Sequence, residues 1–127
     1  MLLAVVLCYA CESKNIQLKE EVIAIHDEVM PHMGKLNSLQ KEFLERADQL
    51  ALEDSAAQHE LIERLRSAAA ELDAAYDGMF VWMRQFEPEQ GERSDEEFNA
   101  YLLEQKVLVE KVKLDINNSL EKAEALQ

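Results

Sequence analysis

Two of the chain's three histidines, two of its five methionines and one of its two prolines fall within one ten-residue stretch, Ile25-His26-Asp27-Glu28-Val29-Met30-Pro31-His32-Met33-Gly34. On a helix, His26, Met30 and Met33 stand at i, i+4 and i+7 and share a side. Further along, Met79 and Met83 bracket Trp82 at i and i+4. If the helices carrying them are antiparallel with a turn near residue 54, His26 and Met30 fall level with this second group. Imidazole and thioethers are the donors that suit Cu(I), which makes His26, Met30, Met33, Met79 and Met83 a candidate site for copper or another soft metal. The same residues fit a plainer role, because methionine is an adaptable core residue and its spacing here is that of a buried face. Packing is the preferred reading, with no cofactor required.

The second chemically distinctive position is Cys11. Before it, Met1 to Ala10 is an uncharged, largely apolar run; after it, Glu12-Ser13-Lys14 begins a highly charged sequence. A short apolar core closed by a small residue is the pattern of an export signal, and a cysteine directly after Ala10 supplies a thiol for lipid attachment. The expected layout is a lipoprotein-type signal at residues 1–10, a lipidated Cys11 with a polar tether over 11–20, and a helical domain over 21–127. Cys8 is the weaker lipidation candidate, since bulky Leu7 precedes it. The apolar run is far shorter than the ~20 residues of a membrane-spanning helix. A cytosolic protein opening on a buried apolar stub is the competing interpretation.

The formal net charge of −13 comes from 26 acidic and 13 basic residues. A surface of that sign repels a phosphate backbone, so nucleic acid is excluded as a partner, and it gains nothing from anionic lipid. Membrane attachment must therefore come through lipid on Cys11, several acyl chains holding far more firmly than one. Removal of residues 1–10 leaves Cys11 alone, so neither a disulfide nor a cysteine metal site is expected. Other chemistries lack their residues. No Glu-x-x-His pair is present for a carboxylate-bridged metal pair, His59-Glu60-Leu61-Ile62-Glu63 is only a fragment of a zinc-protease motif, and neither a haem-attachment motif nor a glycine-rich phosphate loop occurs. No enzyme activity is expected.

Three glycines and two prolines in 127 residues leave few breaks for helices. Val22, Ile25, Val29, Met33, Leu36, Phe43, Ala47 and Leu50 recur at helical spacing, with a kink or break expected between Asp27 and Gly34 because Pro31 removes a helical hydrogen bond. A second helix carries Leu61, Leu65, Ala68, Leu72, Ala75, Met79, Trp82 and Phe86 in alternating steps of four and three, the seam of a heptad repeat. Ser55-Ala56-Ala57-Gln58 is expected to cap its start, and Pro88 and Gly91 to end it. A third helix opens at the capping box Ser94-Asp95-Glu96-Glu97 and continues the alternation through Phe98, Leu102, Val109, Val112, Ile116, Ala123 and Leu126, admitting polar Gln105 and Ser119. Short loops make consecutive helices antiparallel. The expected fold is all-α: an elongated up-down-up antiparallel three-helix bundle, its first helix kinked or broken near Pro31. Ile62, Tyr76, Val81 and Leu108 beside the seams are expected to offer a further apolar face for self-association.

The segments Ala24 to Leu36, Met79 to Phe86 and Asn117 to Leu126 together resemble a family of small exported lipoproteins from the Bacteroidetes, often labelled "viral A-type inclusion protein". The resemblance covers nearly the whole chain after the signal and implies lipid anchoring and a helical fold, with no activity attached. Taken with the residues, it leads to the expectation of a lipid-anchored bundle in the bacterial cell envelope, facing the periplasm or the cell surface. Such a protein would work through an envelope protein partner, through self-association or as a spacer. The alternative is a periplasm-facing soft-metal binder.

Overall fold

The computed structural model describes the backbone of residues 2–127 and the side chains of residues 9–127. Among these, all regular structure is helical: α1 (Leu2–Val29), a single 3-10 turn (Met30–His32), α2 (Met33–Asp54), α3 (His59–Gln85) and α4 (Asp95–Glu124). α1 and α2 form one long first helix with the 3-10 turn inside it. The interruption falls where Pro31 predicts it. Val29 and His32 nevertheless keep right-handed helical backbones, at φ −98°, ψ −19° and φ −85°, ψ −11°, so the chain bends locally without reversing.

Pro31 divides the first helix by partner. α1 packs chiefly on α4, whereas α2 packs chiefly on α3 and only lightly on α4. The change of neighbour falls at the tighter turn of residues 30–32. Cross-helix pairs mark which positions of neighbouring helices lie level. Glu21–Lys106, Glu28–Lys113 and Lys35–Glu124 are matched at 3.1, 2.8 and 3.5 Å with numbers rising together, while Asp48–Arg66 and Glu71–Lys122 join α3 to its two neighbours at 3.4 and 2.8 Å. Exposed pairs of this kind contribute at most ~1 kcal/mol each, so they record the register more than they hold it.

Apolar burial holds the core. Val22, Val29, Leu36, Phe43, Ala47, Leu65, Leu72, Met79, Leu102, Val109 and Ile116 are essentially inaccessible. The heptad positions of α3 and α4 are buried or half-buried throughout, Gln105 and Ser119 included. The buried face is wider than the seam. Ile62 is more deeply buried than Leu61, and Tyr76 and Leu108 pack on the core, which corrects the expectation of a separate fourth face; only Val81 of that group is exposed. A helix with 3.6 residues per turn drifts across a 3.5-residue repeat, so positions on both flanks of the seam turn inward along its length.

Two local expectations are corrected. Residues 11–20 are part of α1 rather than a free polar tether, and Asn15 and Leu18 within them are buried. Asn15 Nδ2 donates to the Asp95 carbonyl at 2.8 Å, and its Oδ1 accepts from Asn99 Nδ2 at 3.0 Å, satisfying an amide that its polar neighbours gave no reason to bury. At the α2–α3 turn, Ser55 makes no cap. The Asp54 carboxylate instead accepts from the Ala57 N–H at 3.1 Å, and α3 begins at His59 with no side-chain cap. Ser94, with an extended backbone, caps α4 as expected, its side chain accepting from the Glu97 N–H at 3.1 Å. Asp95, Glu96 and Glu97 then place negative charge on the positive end of the helix dipole.

Candidate functional site

The His/Met block is split by burial. Met33 and Met79 lie in the core, Met30 is half-buried against it, and Met83 is 38% exposed. His32 is exposed on the outer side of the 3-10 turn. The structure brings His26 to Trp82, ring centroids 5.9 Å apart and planes inclined by 35°, at the height expected from an antiparallel pairing with a turn near residue 54. Trp82 is central to the contact. It is 3% exposed, stacks on Phe86 at 4.8 Å, and its indole N–H has no acceptor. A buried donor left unpaired costs ~1–3 kcal/mol, so apolar packing of the ring must outweigh it.

His26 retains partial access to solvent, its side chain being 21% exposed. Its Nδ1 lies 2.9 Å from Asp27 Oδ1. With Nδ1 protonated, the carboxylate orients the ring and leaves Nε2 with a free lone pair, the arrangement commonly found behind a metal-bound imidazole. No group of three or more His, Cys, Asp or Glu among the described residues is placed to hold a metal. Any metal chemistry here would therefore rest on one imidazole and thioethers, two of which are enclosed by the core.

From Trp82 an aromatic chain continues to the α3–α4 loop. Phe86 stacks near Tyr101 at 6.4 Å, Tyr101 near Phe98 at 6.3 Å, and the Arg93 guanidinium lies 4.1 Å from the Tyr101 ring centroid and 4.9 Å from that of Phe98. Arg93 also donates to the carbonyls of Glu89 and Gln90 at 2.6 and 3.1 Å, while Tyr101 accepts from the Glu87 N–H at 2.8 Å. Gly91 provides the one positive φ among the described residues, 59°, which an L side chain resists. Pro88 and Gly91 stop α3 as expected; Arg93 then ties the loop down through contacts that a charge pattern alone does not disclose.

Cys11 is exposed on α1 as a free thiol beside a shallow cleft of 280 Å³ formed with Lys14, Asn15, Asp95, Glu96 and Asn99. The side chains of the expected signal segment up to Cys8 lie outside the described residues. No described helix is long and apolar enough to cross a membrane. At the opposite end, where α3 begins and α4 finishes, the two helices border a groove of 670 Å³ lined by His59, Glu63, Arg64, Glu71, Lys122 and Leu126 among others. Sequence reasoning missed this groove because it arises from how far two helices stand apart. Of its lining only Ala68 and Leu126 belong to the helix seams.

Compared with known proteins, the chain matches no protein-family model, no curated protein and no solved structure.

Proposed function

We propose that this chain is a lipid-anchored protein of the bacterial cell envelope, attached to a membrane through Cys11 and acting by protein contact or as a structural spacer rather than as an enzyme. Its domain is taken to be an elongated up-down-up antiparallel three-helix bundle, a reading supported by the ion-pair register between neighbouring helices. The observation carrying the functional proposal is the apolar run that ends in Ala10-Cys11, with the first buried polar anchor, Asn15, four residues beyond. The resemblance to small exported lipoproteins points the same way. Expression of Cys11→Ser in a bacterial host that lipidates exported proteins tests the proposal. The expected result is transfer of the protein from the membrane fraction to the soluble fraction; equal membrane retention of both forms would contradict it.

A soft-metal site is the second reading, favoured by one observation. His26, oriented by Asp27, stands over Trp82, within the helical turn that carries Met79 and Met83. In this reading His26, Met30, Met33, Met79 and Met83 supply the donors, and the burial of Met33 and Met79 demands that the core open to admit the ion. That demand makes packing the stronger account of the cluster.

A further inference from the structure

We infer that the Cys11-anchored protein stands end-on to its membrane, with the α3–α4 loop at the headgroups and the α2–α3 turn presented away from the surface. This rests on lipid attachment at Cys11, as proposed above. The polar tether expected over residues 11–20 would have left orientation free; the structure leaves almost no tether. Asn15 is fixed to the start of α4 by two hydrogen bonds, to Asp95 and to Asn99. It lies four positions after Cys11, a reach of ~6 Å if helical and at most ~14 Å if fully extended. α3 joins the loop at Phe86 to the turn at Gln58 through 27 residues, or ~40 Å of helix. The anchored end and the free end are therefore distinguishable by several times the length of the tether.

Charge acts in the same direction. Around the anchor, Glu12, Glu87, Glu89, Glu92, Asp95, Glu96 and Glu97 outnumber Lys14, Arg84 and Arg93, and Arg93 is engaged by loop carbonyls. The whole chain is acidic as well, at −13. Against an anionic bilayer, a rod lying flat brings its full length within the ~10 Å over which charges interact at moderate salt, whereas an upright one brings only its end. The upright arrangement has the smaller repulsion. The end reached by a partner then carries the α2–α3 turn and the groove between the start of α3 and the end of α4.

The test uses the mature lipidated protein in vesicles of mixed zwitterionic and anionic phospholipid. With Cys11 consumed by lipid, a dye is attached at a single introduced cysteine, Glu92→Cys in the loop or Ala56→Cys in the turn, both exposed positions. A nitroxide on the lipid headgroup quenches only at short range. Strong loss of emission at position 92 with none at position 56 is the expected result. Similar quenching at both positions in vesicle-bound protein would overturn the end-on arrangement while leaving attachment intact. Protein that does not sediment with the vesicles would instead overturn the attachment on which the inference rests.

Discussion

His26 and Trp82 meet with ring centroids 5.9 Å apart, although the helices that carry them pack mainly on other neighbours. α1 leans on α4 until Pro31, and α2 leans on α3 beyond it, so the aromatic rings occupy the place where the first helix passes from one partner to the other. The block richest in unusual residues thereby acquires a structural reason for its composition. Pro31 lies in the 3-10 turn, Met33 and Met79 are buried in the core, and the His26 and Trp82 rings meet.

Trp82→Ala should cost ~3–5 kcal/mol, the range for removing a large buried aromatic side chain. Trp82→Phe should cost markedly less, since it keeps much of the stacking on Phe86 and removes the unpaired indole N–H. Denaturant unfolding followed by circular dichroism measures both. Equal losses for the two variants would show that ring volume is not what holds this junction.

Deleting residues 1–14 should leave a soluble helical domain with its stability nearly unchanged, because the first buried side chain along α1 among the described residues is Asn15. Deleting residues 1–20 removes Asn15 and Leu18 and should lower stability by ~2 kcal/mol or more from the lost apolar burial alone. Thermal melts of the two truncated chains decide this. Matching melting temperatures would restore the free tether.

Ser94→Ala should destabilise by ~1 kcal/mol through loss of the α4 cap. Ser55→Ala should change stability by less than ~0.5 kcal/mol, as expected at an exposed position without a special contact, whereas Asp54→Ala removes the carboxylate that accepts from Ala57. A larger effect at Ser55 than at Asp54 would reverse this assignment of the turn.

If the His/Met block is packing, Cu(I) titration against a competing chelator should show no stoichiometric uptake by the mature protein. Met33→Leu conserves most of the volume and should cost less than ~1.5 kcal/mol. A one-to-one complex abolished in the His26→Ala, Met33→Leu double variant would instead establish the soft-metal reading.

The all-α class, the interruption at Pro31, the Ser94 cap and most of the α3 and α4 seam positions were legible from period and punctuation, which are local signals. The level of His26 with Trp82 followed from chain reversal alone. What escaped was set between helices. Asn15 gave no sign of burial because its value lies in two hydrogen bonds to residues 80 and 84 positions away. Ser55 matched a capping motif, but neighbouring Asp54 offered a competing acceptor at the same turn. Ile62 looked surplus because a strict heptad describes a narrower contact than these helices make, and the groove beside His59 depends on a spacing that no single segment encodes.

Lipid on Cys11 is proposed to hold the protein to a membrane. Intact-mass and peptide mass spectrometry of protein extracted from the membranes of a lipidating bacterial host tests it most directly. The expected result is an N-terminal peptide that begins at Cys11, lacks residues 1–10 and carries the added mass of acyl chains. A peptide that still begins at Met1, or one containing an unmodified Cys11 thiol, would contradict it.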